Sequence, residues 1–382
     1  MTKNFGSLVK AGFKRGMEEG KKGSTSWRVT WGFKQEPFSG AEELREVFVD
    51  REDAVVQLAR GLGRGVMGLH EVIACIGPHG GGVSATLSIV HDALVESDKV
   101  KGVFEKAARF LEVRERKEED GEVYEENYFD AFLDQTDFAE VRYVIIDDAD
   151  VVAENLAAFV SRIKDRAGAF KNQPAVVVGL HMWGWLALSS ELRERISEQV
   201  VLNPLDAKDT RALLEAYLAW ARGESGLHPF DEKTLSRIVA ISQGLPHAAI
   251  EVARQILQEA AARGLAKVTP GLVDEVAKAF GYRVLASVEE WIVSVDETRD
   301  AVIEHVVRRP GGVSSSGLAA ITDLRRTTVN YHLSLFEQAG FTIKQRRGKE
   351  VFYATTEPGR MALELLVFRR LFAEVGTSKV AV

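Results

Sequence analysis

The chain has 382 residues, of which 46% are apolar and 27% are charged, and its formal net charge is −7. This length predicts two or three domains, because single hydrophobic cores seldom grow beyond about 250 residues. Neither an apolar run of about 18 residues nor the apolar core of a signal peptide is present, so we expect a cytoplasmic protein with no membrane partner.

The N-terminal part of the sequence changes character twice. Residues 1–30 are basic and contain several glycines, which predicts a flexible arm; contact with the phosphate backbone of a nucleic acid is the functional alternative. An aromatic and proline segment follows at 31–38. Residues 48–52 read Phe-Val-Asp-Arg-Glu, and the spacing of apolar residues at 55–62 predicts an amphipathic helix.

Residues 72–84 are an apolar run that breaks into a glycine-rich turn, and they predict a buried parallel strand, a loop and a helix. Cys75, the single cysteine, lies in this strand and is expected to be a small buried hydrophobe. The turn fits the phosphate-binding pattern G-x-x-x-x-G-K-[ST] at every fixed position except the lysine, which is Val83. The candidate nucleotide-binding residues of this loop are Gly77, Pro78, His79, Gly80, Gly81, Gly82, Val83 and Ser84.

Two further strands are predicted after a charged run. Residues 112–126 carry mixed charge and predict a solvated loop or insertion. The apolar run 141–146 ends in Asp147 and Asp148, and the run 175–179 is followed closely by His181. A solvated acid pair and a loop histidine without a ligand are the non-functional alternatives for these residues.

The segment from Asp206 to Phe280 has helical apolar spacing throughout and predicts four helices. Capping signals divide it: Asp206 and Asp231 precede two of the helices, Gly244-Leu245-Pro246 precedes the third, and Thr269-Pro270 precedes the fourth. We therefore expect an all-helical domain here.

The C-terminal part predicts three helices and a β-hairpin with a basic tip. In the third helix Val329, Leu333 and Phe336 form one buried stripe, and His332 is expected to pack in the helix. Strands at 341–346 and 350–354 surround Arg347-Gly348-Lys349. Six basic residues and one acid, Glu337, lie between 325 and 349. The candidate DNA-binding residues are Arg325, Arg326, Thr327, Asn330, Tyr331, Lys344, Arg346, Arg347 and Lys349.

A last helix, with Met361, Leu365 and Phe368, is apolar over more than one face. It is expected either to pack on the preceding helices or to form a dimer contact.

This order of elements resembles the archaeal origin-recognition and replication-initiator family of AAA+ ATPases, and is similar to the STAND-type archaeal ATPases, whose lid often carries Gly-Leu-Pro. The resemblance covers residues 31–360. It implies an α/β fold with a RecA-like AAA+ core and a parallel sheet, an all-helical lid and a C-terminal winged helix-turn-helix. The corresponding boundaries are a basic arm at 1–30, the core at 31–204, the lid at 205–283, and the winged helix with the C-terminal helix at 284–382.

The resemblance also implies roles for individual residues. Asp147 would orient magnesium together with Ser84, and Asp148 would polarise the attacking water. Arg195 would reach the nucleotide of a neighbouring subunit as an arginine finger; an ordinary surface arginine is the alternative. His181 would contact the terminal phosphate, and His247 stands near the place of the lid arginine.

Two cationic contacts to the phosphates are altered, at Val83 and at His247. Since a charge-assisted hydrogen bond contributes about 1.5–3 kcal/mol, their loss predicts nucleotide binding weakened by about 10²- to 10⁴-fold. No active catalytic residue is expected, and ATP or ADP with magnesium is the only candidate cofactor.

The sequence thus predicts a double-stranded DNA-binding protein of the nucleoid, initiator-like or regulatory, with a degenerate nucleotide site. The alternative is an ATP-switched AAA+ or STAND ATPase that acts in DNA replication or transcription control. Besides duplex DNA, a second copy of the chain or other replication or transcription proteins are candidate partners.

Overall fold

The structure is a computed structural model that describes residues 31–38, 47–69, 71–96, 100–117, 123–170, 172–223, 229–294, 296–309, 311–348 and 350–372. The predicted basic arm at 1–30 lies outside the described residues. The chain divides into two compact units. The core unit comprises residues 50–204 and 287–382, and the helical unit comprises residues up to 49 together with 205–286.

The first part of the core unit alternates strands and helices. In chain order they are α1 (Glu52–Val66), β1 (Val72–Gly77), α2 (Val83–Glu96), β2 (Gly102–Lys106), β3 (Val113–Lys117), β4 (Val123–Asn127), α3 (Tyr128–Gln135), β5 (Tyr143–Asp147), α4 (Leu156–Gly168), β6 (Ala175–His181), α5 (Met182–Ala187), α6 (Ser190–Arg195) and β7 (Glu198–Val201).

Five of these strands form one sheet in the order β2-β5-β6-β1-β7, and every neighbouring pair is parallel. Strands β1 and β5 are buried along their whole length, as expected for strands covered on both faces, and this is why they appear in the sequence as continuous apolar runs. Cys75 is buried in β1, as predicted. Because the strands are parallel, the residues that follow β1, β5 and β6 lie at the same edge of the sheet.

The charged run at 112–126 contradicts its prediction as a loop. Strands β3 and β4 form an antiparallel hairpin in which Val113 pairs with Asn127 and Lys117 with Val123. A two-stranded ladder is held by backbone hydrogen bonds, so it does not need the apolar alternation from which strands are predicted.

The helical unit contains α7 (Ala207–Arg222), α8 (Glu232–Ser242), α9 (Pro246–Ala262), α10 (Pro270–Ala279) and α11 (Arg283–Ala286). The side chains of Asp206, Asp231 and Thr269 accept backbone hydrogen bonds at the starts of α7, α8 and α10, as the sequence predicts. The aromatic segment 31–38 packs in this unit: Trp31 Nε1 donates to the Ala266 carbonyl oxygen at 3.0 Å.

The rest of the core unit consists of α12 (Val288–Ser294), α13 (Glu297–Val307), β8 (Val313–Ser314), α14 (Ser315–Thr322), α15 (Arg326–Ala339), β9 (Thr342–Arg347), β10 (Glu350–Thr355) and α16 (Glu357–Phe372). Strands β8, β10 and β9 form an antiparallel sheet in that order. The predicted stripe of Val329, Leu333 and Phe336 is buried on α15.

Helix α16 is buried within the chain along most of its length, including Met361, Leu365 and Phe368. Of the two interpretations left open by the sequence, packing within the molecule accounts for its apolar faces. Among the described residues, no helix combines the length and the apolar character that crossing a membrane requires.

Candidate functional site

The glycine-rich loop, residues 77–84, has a tight conformation that depends on its glycines. Gly80 and Gly82 have φ angles of 79° and 97°, in the left-handed region that favours glycine. The Gly81 backbone N–H donates to the Pro78 carbonyl oxygen at 2.8 Å, and the Nη2 atom of the buried Arg51 donates to the Gly81 carbonyl oxygen at 3.0 Å. The loop therefore keeps its shape through contacts made within the core unit.

Val83, which stands in place of the phosphate-binding lysine, is a core residue. It is buried in a cluster with Leu87 and Val177. Its two methyl groups lie close to two glycines: a Cβ atom added at Gly77 would lie 3.0 Å from one methyl group, and a Cβ atom added at Gly179 would lie 3.2 Å from the other. This side chain fills the contact between β1, β6 and α2 and brings no positive charge to the loop.

The predicted magnesium ligands do come together, but a lysine that the sequence analysis did not select joins them. Ser84 Oγ donates to Asp147 Oδ1 at 3.1 Å, and Asp147 is 1% exposed. Lys106, the last residue of β2, forms ion pairs with both Asp147 and Asp148, and its Nζ lies 2.8 Å from Asp148 Oδ2. One ammonium group is thus shared by both predicted catalytic acids.

The titration of this group follows from its burial. Burial raises the pKa of Asp147, and the hydrogen bond from Lys106 opposes that rise. Burial also acts to lower the pKa of Lys106, but its hydrogen bonds to Asp147 and Asp148 outweigh burial and leave that pKa raised. Lys106 is therefore charged at neutral pH, and it acts as the counter-ion of the acid pair.

His181 is ion-paired at the end of β6. Its Nδ1 lies 2.7 Å from Asp150 Oδ2, and its backbone N–H donates to Asp150 Oδ1, also at 2.7 Å. Burial acts to lower the pKa of His181, but the charge and hydrogen bond of Asp150 raise it to about 9. The ring of His79 meets His181 edge-on with 5.1 Å between centroids. His181 is thus a cation held by the chain itself.

The side chains at this edge of the sheet do not fit a magnesium-bound nucleotide. Asp148, Asp150 and His181 can each bring one ligand atom within 4.8 Å of the others, but Asp148 already binds Lys106, and Asp150 already binds His181. A metal ion beside Asp147 would also face the ammonium group of Lys106. The acids that magnesium would need are therefore already bound by side chains of the chain itself.

The remaining predicted nucleotide contacts, Arg195 and His247, are carried by two other helices. Arg195 is exposed on α6, where Nη1 donates to Ser161 Oγ and Nη2 donates to Glu191 Oε1, each at 2.7 Å. His247 lies in the first turn of α9, in the helical unit. The roles predicted for these two residues stay predictions.

Most of the predicted DNA-binding residues lie on α15 and on the β9–β10 hairpin. We call this set of residues the basic face; its described members are each exposed, and they are Arg325, Arg326, Thr327, Asn330, Tyr331, Lys344, Arg346 and Arg347. Lys349 lies outside the described residues. Tyr331 is 59% exposed, although it is a large aromatic residue.

The charges of the basic face are only partly paired. Lys344 forms an ion pair with Glu337, and Arg347 donates to the Gly311 carbonyl oxygen at 2.8 Å while its guanidinium lies 4.9 Å from the Phe352 ring. Arg326 and Arg346 form no ion pair with any residue of 311–348 or 350–372. Positive charge is therefore available to an external partner.

His332 is buried on the opposite side of α15 from this surface, as predicted for a packing residue. Burial, together with the charge of Arg299, lowers its pKa. The imidazole is therefore neutral near pH 7.

Two residues of the site at the sheet edge were missed by sequence reasoning. Lys106 ends a short strand next to the charged run, where nothing in its neighbours distinguishes it from a surface lysine. Asp150 offered a signal, since it is the third acid in the four residues 147–150. Neither partner could be assigned without knowing which strands are neighbours.

Comparison with known proteins gives one sequence relative and several structural ones. No protein-family model matches the chain. An uncharacterised HTH-type transcriptional regulator of Methanocaldococcus jannaschii is 22% identical over 178 residues, which are 46% of this chain and 43% of that protein. The match therefore spans less than half of the relative's length.

Among solved structures, the Orc1 protein of Aeropyrum pernix in complex with DNA has a TM-score of 0.53 at 14% identity, over 89% of this chain and 98% of that chain. Cdc6p of Pyrobaculum aerophilum has a TM-score of 0.46 at 14% identity, over 84% of this chain and 94% of its own. The RuvB Holliday junction branch migration motor of Thermotoga maritima has a TM-score of 0.44 at 18% identity, over 85% and 95% of the two chains.

The likeness to Orc1 shows the fold. The protein has the AAA+ fold, with a RecA-like α/β core built on a five-stranded parallel sheet, and the fold class predicted from the sequence is confirmed.

Proposed function

We propose that this protein binds double-stranded DNA through the basic face and acts as an initiator-like or regulatory factor. In this proposal α14, α15 and the β9–β10 hairpin are a winged helix-turn-helix, in which α15 lies in the major groove and the hairpin is the wing. The observation that carries the proposal is that every described residue of the basic face is exposed to solvent. The boundaries given above for the arm, core, lid and winged helix belong to the same proposal.

Helix α15 has the features that groove binding requires. Its buried stripe faces inward, so Asn330 and Tyr331 project from the exposed side, and an asparagine amide can bind the edge of adenine. The first turn contains no acidic residue, and the side chain of Arg325 makes no capping hydrogen bond, so the positive end of the helix dipole is not neutralised there.

The hairpin supplies cations for the phosphate backbone. Arg346 and Arg347 lie at the end of β9, and Lys349 follows in the sequence. Arginine side chains bind phosphate with two hydrogen bonds, and such contacts position a protein on DNA without reading its sequence. The exposed pair of Lys344 and Glu337 contributes little to stability, so phosphate can replace the glutamate as the partner of Lys344.

The comparisons support the same class of function. One relative is described as an HTH-type transcriptional regulator, and the Aeropyrum pernix Orc1 structure is a complex with DNA. A protein that binds duplex DNA in this way would be associated with the nucleoid.

We propose that the core is a structural platform with no ATPase activity. The loop has Val83 in place of lysine, and Lys106 already forms ion pairs with Asp147 and Asp148. The alternative, an ATP-switched ATPase, draws support from the hydrogen bond between Ser84 and Asp147, which keeps the two predicted magnesium ligands together. Weak binding of ATP or ADP is compatible with either proposal.

The DNA proposal is tested by fluorescence anisotropy with a labelled duplex over a series of salt concentrations. Changing Arg325, Arg326, Arg346 and Arg347 together to alanine should weaken binding by about 10²- to 10³-fold near 0.1 M salt. The slope of log affinity against log salt should also fall by about 3–4, because each phosphate contact contributes about 0.9.

The matched control removes the same charge elsewhere. Arg60, Arg162, Arg166 and Arg237 are exposed and lie outside the basic face, so changing all four to alanine should leave the salt slope within about one unit of wild type. Equal losses of affinity in the two variants would mean that DNA binding depends on the total positive charge of the protein and not on the basic face.

Calorimetric titration of the protein with ATP and magnesium, combined with a phosphate-release assay, tests the core. We expect no turnover above background. Micromolar binding with turnover that Asp147→Ala abolishes would favour the ATP-switched alternative and reject the platform.

A further inference from the structure

Helix α16 carries one carboxylate that the rest of the helix does not explain. Glu364 is 0% exposed, and its neighbours Leu363 and Leu365 are buried apolar residues. A buried carboxylate is costly unless it is paired and hydrogen-bonded, so the partners of Glu364 indicate why the residue is there.

Two of those partners are backbone amides of the AAA+ core. Glu364 Oε2 accepts the N–H of His79, in the glycine-rich loop, and the N–H of Met182, directly after β6, each at 3.1 Å. Its other oxygen, Oε1, accepts a hydrogen bond from Arg360 Nε at 2.9 Å, one helical turn earlier. The carboxylate is thus held by three donors, two of which come from the edge of the sheet where the loop lies.

Neighbouring contacts strengthen the same junction. His79 Nε2 lies 2.7 Å from Glu357 Oε1, at the start of α16. The guanidinium of Arg360 lies 5.9 Å from the centre of the Trp183 ring, on α5. The loop is therefore joined to α16 by a side-chain hydrogen bond, and α5 is joined to it through the face of an aromatic ring.

We propose that the glycine-rich loop is a carboxylate-binding site whose ligand is Glu364 of the same chain. An amide of the loop, which in phosphate-binding loops is available to an anion, here binds an anion supplied by α16. The bond fixes α16, and with it the helices that carry the basic face, on the AAA+ core. The inference does not depend on DNA binding.

The test is residue-resolved hydrogen exchange on the full chain, with Glu364→Met, Glu364→Gln and wild type compared. Methionine has a similar length and keeps the apolar packing, but it has no acceptor. In Glu364→Met we expect the amides of His79 and Met182 to exchange at least about tenfold faster than in wild type, because both lose their partner. In Glu364→Gln the amide oxygen still accepts, without the charge, so an intermediate rate is expected.

Glu289→Gln is the matched control, since it removes an ion pair between α12 and Arg369 of α16 without contacting the loop. It should leave the exchange of both amides unchanged. If both amides exchanged at the wild-type rate in Glu364→Met, the proposal would be overturned, since Glu364 would then be a buried side chain that does not bind the loop. A wild-type rate in Glu364→Gln would overturn the requirement for a carboxylate.

Discussion

The edge of the parallel sheet and the basic face both concentrate charged side chains. The charges at the sheet edge are paired within the chain, whereas those of the basic face are exposed to solvent. At the sheet edge Lys106 pairs with Asp147, and His181 pairs with Asp150; all of these except Lys106 are largely buried. On the basic face the arginines and the aromatic Tyr331 are exposed. Charges satisfied within the chain stabilise the fold, whereas charges left exposed are available to a partner. This contrast favours a stable core that carries a DNA-binding surface.

The strongest test of internal pairing is His181→Gln. The pKa of His181 is raised to about 9 in the folded protein from an ordinary value of 6.5. The ion pair with Asp150 therefore stabilises the fold fully below about pH 6.5, and this contribution is lost as the pH rises through 9. Relative to the variant, wild type should lose about 3 kcal/mol of its free energy of unfolding between pH 6 and pH 9.5, measured by urea denaturation.

His305 and His332 titrate with lowered pKa values and are present in both proteins, so they cancel in this difference. Parallel pH profiles for wild type and His181→Gln would show that His181 is not held as a cation, and the contrast between the two regions would weaken.

Lys106→Met tests the second internal pair. It leaves Asp147 buried beside Asp148 without a counter-ion, which should lower the free energy of unfolding by about 2 kcal/mol at pH 7. The loss is smaller than for a fully buried pair, because Lys106 is 45% exposed and solvent screens it. Since burial raises the pKa of Asp147, the variant should regain stability as the pH falls and this carboxylate becomes protonated.

The control for this change is Lys101→Met. Lys101 also forms an ion pair, with Glu140, but its side chain is 71% exposed, so its removal should cost no more than about 0.5 kcal/mol. If both lysines had the same small effect, Lys106 would be an ordinary surface residue.

On the basic face, Asn330→Ala tests base recognition. The asparagine amide is expected to contact one base, so its loss should weaken binding to a selected target by about tenfold and relax preference at that one position. Selection of duplexes from a random pool, for wild type and variant, measures both effects. Gln338→Ala, exposed further along α15, is the control. An unchanged selected sequence for Asn330→Ala would place α15 outside the groove.

The smallest effect is expected from Glu337→Gln. This change removes the only acidic residue between 325 and 348, and it releases Lys344 for phosphate. Affinity for duplex DNA should rise by about two- to fivefold at low salt, with a stability change within about 0.5 kcal/mol. A fall in affinity would mean that the ion pair holds Lys344 in the orientation needed for DNA.

Local patterns in the sequence were sufficient for much of the fold. Helix caps at Asp206, Asp231 and Thr269 and the stripe of Val329, Leu333 and Phe336 depend on neighbours within one or two turns. The buried strands β1 and β5 were recognisable because both faces of a parallel strand are apolar. The candidate readers on α15 could be selected for the same reason, since the periodicity that buries one face exposes the other.

Only the tertiary structure decided which groups the charged side chains pair with. Lys106 meets Asp147 because β2 and β5 are parallel neighbours whose register places these two residues side by side. Glu364 reaches His79 across 285 residues of sequence, and the sole hint was one acid within the apolar run 361–368. Ion pairs between distant segments follow from strand order and helix packing, and no periodicity within one segment contains that information.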